Sequence, residues 1–222
     1  MTNLSLAEHY QQSRRQSLSI CEPLVIEDYG LQAADFVSPP KWHLAHTSWF
    51  YETFLLQPYV DGYRSPNRQF AVLFNSYYNG IGEQFPRPQR GLLSRPTVDE
   101  VMGYRSHVDQ AMMRLLTDNT HPESNAIQRR TRLGIEHEQQ HQELLYTDLL
   151  YSLSANPLYP TYSHAAETNQ SAQPAKFQWR EFSGGLITIG LIRLLIAAQG
   201  LPLIMKAHCT RLLWRPSHWP TG

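Results

Sequence analysis

The sequence predicts a mainly α protein, a four-helix bundle over residues 1–160 followed by the start of a β-containing segment. Three observations carry that prediction. Four long stretches place apolar residues at spacings of three and four without an interior proline. A stretch rich in Pro, Ser, Thr, Ala and Gln, Pro157 to Pro174, reads as a linker. After it, FQWREFSGGLITIG has the aromatic and β-branched content of a strand pair around a Gly-Gly turn.

The first helix runs from about Leu4 to Leu18, polar with Leu6, Tyr10 and Leu18 as its sparse apolar positions. Ser38-Pro39-Pro40 opens the second, because proline is tolerated in a first helical turn. There Trp42, His46, Trp49, Phe50 and Phe54 share a face, and His43 falls nearer its edge. A histidine among aromatics is either a satisfied core residue or a ligand. Gln57 to Arg68 is a loop, and Phe70 to Tyr78 a short helix. FPRPQRGLLSRPT then sets Arg87, Arg90 and Arg95 among three prolines. Such a segment is a solvated connection, or its guanidinium forks hold a carboxylate.

Thr97, with Glu100 three positions on, forms a capping box for a third helix to Thr117. Val98, Val101, Tyr104, Val108, Met112 and Leu115 line its core face, which leaves His107 on the surface. The fourth helix spans about Asn125 to Ser154 and contains GIEHEQQHQELL. Leu133, His137, His141, Leu144 and Asp148 lie at spacings of three and four, so both imidazoles point the same way. Core-facing histidines either bond buried partners or converge on a metal, and His46 is the natural third ligand. His137-Glu138-Gln139-Gln140-His141 also matches H-E-x-x-H, in which a zinc hydrolase uses the glutamate as base.

Nineteen basic and nineteen acidic residues leave no net charge to attract nucleic acid. The 41% hydrophobic content suffices for a proper core. Cys21 and Cys209 are too few for a disulfide framework, the N-terminus lacks the apolar core of a signal peptide, and Leu191 to Met205 is too interrupted to span a membrane. A cytoplasmic protein acting on small molecules is expected.

WHLAH, FNSYYNGIGEQFPRPQRGLLSRPTVDEV and GIEHEQQHQELL, in that order, resemble the N-terminal DinB-like domain of the non-haem iron sulfoxide synthases of ergothioneine biosynthesis. FSGGLITIG resembles the opening of their second domain, which is like the formylglycine-generating, sulfatase-modifying enzymes. The resemblance implies Fe(II) on His46, His137 and His141, with Arg87 and Arg90 holding the carboxylate of the thiol substrate. It implies that cysteine or γ-glutamylcysteine is joined through sulfur to C2 of hercynine with dioxygen, giving a sulfoxide. Glu138 would then be a carboxylate behind the ligands or on the surface. A DinB-like metal-dependent thiol transferase would use the same triad without dioxygen, and a non-enzymatic metal-binding module would use it without turnover.

The expected organisation is a helical bundle over 1–160, a linker over 161–176, the start of the sulfatase-modifying-like domain over 177–190, and an out-of-frame tail over 191–222. That tail has no acidic residue and resembles nothing in the family. Codons can be chosen for residues 200–206 and 218–222 that spell strings like the second domain in a shifted frame. The family's catalytic tyrosine belongs to that domain, so metal binding with little or no synthase activity, and a disordered tail, are the expectations.

Overall fold

The structure, a computed structural model, describes residues 4–76, 80, 82–118, 120–163, 178–182, 185–189, 210–214 and 217–221. The chain divides into two compact units, Met1–Ser163 and His164–Gly222.

The first unit is helical. Helix α1 (Leu6–Cys21) starts at a capping box in which the Ser5 hydroxyl accepts from the Glu8 N–H and the Glu8 carboxylate accepts from the Ser5 N–H. Its buried face is Tyr10, Ser13, Arg14, Ser17, Ile20 and Cys21, whereas Leu18 is exposed. Of the sparse apolar positions Tyr10 is buried and Leu18 is not, and α1 also turns Arg14 and Ser17 inward to Glu138. A short 3-10 turn, Ile26–Gly30, leads to helix α2 (Pro40–Tyr51), which has proline at its first turn.

Helix α2 is buried from Trp42 through Tyr51 without a gap, not on one face. It packs on α1, on α5 (Val98–Thr117) and on α6 (Ser124–Ser154), so neighbours cover its whole circumference. It continues through a π turn, Glu52–Leu56, into α3 (Gln57–Tyr59), three residues into the expected loop. The widened turn precedes Pro58, which has no N–H to continue the α ladder. Helix α4 (Phe70–Leu73) is shorter than expected, and residues 77–78 of that expected helix lie outside the described residues.

The arginine-rich connection winds into a 3-10 turn, Arg87–Leu92. Helix α5 begins with the expected box, the Glu100 N–H donating to the Thr97 hydroxyl and the Thr97 N–H to the Glu100 carboxylate. Helix α6 buries a broad arc, including Thr131, Gly134, His137, Glu138, Leu145, Asp148 and Leu149. Leu145 fills the core position expected of Leu144, which is exposed. The arc is broad because α6 meets α1 on one side and α2 on the other. Gly134 makes the second approach possible, since a Cβ there would lie 2.5 Å from the Tyr51 ring. No helix among the described residues is long and apolar enough to cross a membrane.

In the second unit, strands β1 (Gln178–Phe182) and β2 (Gly185–Ile189) form where the sequence predicts strands, but their partners are not each other. Strand β2 pairs antiparallel with β3 (Thr210–Trp214), and β1 pairs antiparallel with β4 (Ser217–Thr221). Phe182 is opposite Ser217 and Gly185 opposite Trp214, so the two ladders keep one register across the break between them. A tight turn at Gly-Gly would have set β1 against β2; pairing with β3 and β4 gives both strands full five-residue ladders. Parts of the tail expected to be disordered are thus strands. Most of the expected linker, residues 164–176, lies outside the described residues.

Candidate metal centre

Helices α2 and α6 bring His46, His137 and His141 together. One nitrogen of each lies within 4.8 Å of the others, and the ring centroids are 5.1, 4.6 and 4.6 Å apart, a nearly equilateral triangle. His46 Nε2 and His137 Nε2 are 3.3 Å apart. That is close to the separation of two nitrogens each about 2.1 Å from one ion at an angle near 100°.

The walls are aromatic. Trp42 and Trp49 both stack on His46, at 4.5 and 5.4 Å between centroids, and Phe50 stacks on His137 at 4.4 Å. His46 and His137 are buried, and His141 retains partial exposure. Burial in this apolar setting holds the His46 and His141 imidazoles well below their ordinary value, and the neighbouring imidazoles add to the effect. The same burial pushes His137 down to about 4. All three are therefore neutral at pH 7 and keep a lone pair for a cation.

The backbone decides where one of those lone pairs sits. His46 Nδ1 is 2.6 Å from the Phe74 carbonyl, which only accepts, so Nδ1 carries the proton and Nε2 faces the triad bare. His137 Nδ1 is buried without a hydrogen bond. Neutral imidazoles converging between aromatic walls leave an electron-rich site. The donor set fits a divalent transition metal, and three nitrogens would leave positions free for exogenous ligands.

His43, expected at the edge of the stripe, is buried beside the triad. Its Nδ1 is 2.9 Å from His141 Nδ1, and its Nε2 is 3.0 Å from the Asp148 carboxylate, which also accepts the Ser38 N–H at 2.8 Å. Burial lowers the His43 pKa and the Asp148 hydrogen bond works against that shift. The spacing W-H-x-x-H contained this residue, but helical phase alone put it on the flank.

Arg90 is brought to the cluster, though not as an exposed fork. Its guanidinium is buried, 3.4 Å above the Trp42 ring, and donates to the Ser38 hydroxyl at 2.9 Å and the Ser76 hydroxyl at 3.1 Å. Trp42 thus lies between Arg90 and His46. Arg87 is part-exposed and donates to the Phe36 carbonyl. His107 is on the surface as expected, 3.1 Å from the Arg64 carbonyl.

Glu138 does not stand behind the ligands and is not on the surface. One residue beyond His137, it projects about 100° further round α6, toward α1, and is fully buried. Its carboxylate accepts from Arg14 at 3.1 Å, Arg105 at 3.3 Å and Ser17 at 2.7 Å. Those donors hold its pKa below the ordinary carboxylate value against a large desolvation effect. Every partner is structural, so the base that a zinc hydrolase would need is committed elsewhere.

Residues 9–145 match the sequence profile of a family described as the DinB superfamily. No curated protein matches the chain.

Proposed function

Since the chain belongs to the DinB superfamily, and its three clustered imidazoles could hold a metal ion, we propose that His46, His137 and His141 bind Fe(II) in a hercynine sulfoxide synthase of ergothioneine biosynthesis. The observation that carries the reading is the neutral, nearly equilateral triad assembled by two helices. The resemblance of the three ordered motifs, and of FSGGLITIG to the start of a sulfatase-modifying-like domain, selects this chemistry from those open to a DinB site.

In the net reaction an S–H and the C2–H of hercynine are lost, C–S and S–O bonds form, one oxygen atom goes to sulfur and the other leaves as water. Bound iron would supply adjacent positions for the thiol and for dioxygen. The protein's own groups hold and insulate. The Phe74 carbonyl orients His46, the rings of Trp42, Trp49 and Phe50 exclude water, and the partial exposure of His141 marks the accessible side. Arg90 contributes positive charge beside the pocket through the Trp42 stack, and Arg87 contributes it from the rim of the same 3-10 turn. With those charges in place a substrate carboxylate is drawn toward the cluster.

Membership in the superfamily equally suits a metal-dependent thiol transferase, because every proposed ligand lies within residues 9–145. The test is iron content and Fe(II) affinity of the purified chain beside His46→Ala, followed by incubation with hercynine, cysteine or γ-glutamylcysteine, and dioxygen. Stoichiometric iron lost on substitution, with sulfoxide that is oxygen-dependent however little of it forms, supports the synthase. Thiol transfer without oxygen consumption supports the transferase, and bound metal without product leaves a non-enzymatic metal module. Iron retained by His46→Ala overturns the triad.

A further inference from the structure

Helix α6 supplies two ligands of unequal standing. His137 has no hydrogen bond at Nδ1, whereas His141 is tied through His43 to a buried carboxylate. We propose that Asp148 and His43 are positioning residues which, by relayed hydrogen bonds, set the tautomer of His141 so that its Nε2 is the bare, metal-seeking nitrogen. The inference rests on the triad being a metal site.

The relay follows from donors and acceptors. Asp148 Oδ2 already accepts the Ser38 N–H at 2.8 Å, and as a carboxylate it has no proton to offer His43. At 3.0 Å the shared proton therefore belongs to His43 Nε2. A neutral imidazole has one N–H, so His43 Nδ1 is bare. It lies 2.9 Å from His141 Nδ1, a contact that is attractive only if His141 Nδ1 carries a proton. His141 Nε2 is then bare. A backbone carbonyl does the same for His46 in one step. Ser38 anchors the far end, giving its N–H to Asp148 and accepting from Arg90 through its hydroxyl. The carboxylate is thus held by a neighbour that is itself held.

The relay also predicts what inverts it. Asp148→Leu keeps the bulk but removes Oδ2, the one oxygen that faces both the Ser38 N–H and His43 Nε2. His43 Nε2 then has no acceptor for its proton, which moves to Nδ1, and His141 Nδ1 becomes the acceptor. The proton of His141 moves to Nε2, where the metal should bind. Loss of such an outer partner typically weakens metal affinity about 10–100-fold.

Two measurements test this. Nitrogen-15 NMR of the metal-free wild-type chain should find the proton on Nε2 of His43 and on Nδ1 of His141. Titration with cobalt(II) alone should show Asp148→Leu and His43→Phe binding about 10–100-fold more weakly than wild type, and His46→Ala not binding. A proton on His43 Nδ1 in the wild type, or cobalt affinities of Asp148→Leu and His43→Phe within about twofold of wild type while His46→Ala is defective, overturns the relay alone. Undiminished binding by His46→Ala overturns the triad and the relay with it. Because the tautomer is read on the unaltered chain, a variant that fails to fold does not remove the test.

Discussion

His137 and Glu138 are consecutive residues, yet they face two buried polar regions built on opposite principles. On the Glu138 side a carboxylate meets Arg14, Arg105 and Ser17, and Arg14 also pairs with Asp109 at 2.7 Å. Every charge there has a protein partner. On the His137 side the three imidazoles are neutral, and burial keeps them so. Their lone pairs converge without enough protons to join them. Compensated buried charge holds helices together, whereas uncompensated buried lone pairs are a cost that a bound cation removes. The H-E-x-x-H string thus straddles two regions, and only its histidines belong to the candidate site.

The sharpest way to break this comparison is Glu138→Gln. It leaves Arg14 and Arg105 buried around a neutral amide, and breaking a buried pair in this way costs about 3–5 kcal/mol. Urea denaturation should find that loss, while the folded fraction still binds cobalt(II). A variant of wild-type stability that cannot bind metal would reverse the assignment of the two regions.

Acid should act on the histidine side. The folded chain holds His137 near 4, below the ordinary 6.5, so the unfolded chain takes up its proton first as pH falls. Stability of the metal-free chain should be complete above about 6.5 and decline toward 4, by up to about 3 kcal/mol for His137 alone. His46 and His141 shift in the same direction and add to the decline. Denaturation midpoints across that range check it, and a flat profile would mean the imidazoles are not buried as neutral groups.

Gly134→Ala tests how closely the regions are built. The added methyl meets the buried Tyr51 ring at 2.5 Å and must push α6 away from α2. Overpacking of this kind costs about 1–3 kcal/mol, and separating the helices that carry His46 and His137 should weaken cobalt binding as well. Unchanged affinity would mean that the triad does not depend on this approach. The smallest effect is expected from Ser17→Ala, which removes one donor to Glu138 and one acceptor for Gln142. It should cost about 1 kcal/mol and leave metal binding alone.

Helical period and caps in the sequence located the main helices to within a few residues, and the i,i+4 histidine pair with His46 named all members of the observed triad. Those are local signals, since caps and period depend on residues within a turn or two. Facing directions on densely packed elements were less legible. Helix α2 is buried all round, so its stripe did not separate His43 from the site. Leu144 and Leu145 exchanged places because α6 packs on two sides.

What the sequence by itself determined is the helical class, the helix starts and the three candidate ligands, because each is written in spacing along one element. Only the tertiary structure decided that Glu138 belongs to Arg14 and Arg105, that His43 joins Asp148 to His141, that Arg90 lies beneath the surface on Trp42, and that β1 and β2 pair with the tail. The cause is common to all four. A buried polar group or an open strand edge must find a partner, but periodicity says only which way it faces, and the partner that satisfies it comes from a distant part of the chain.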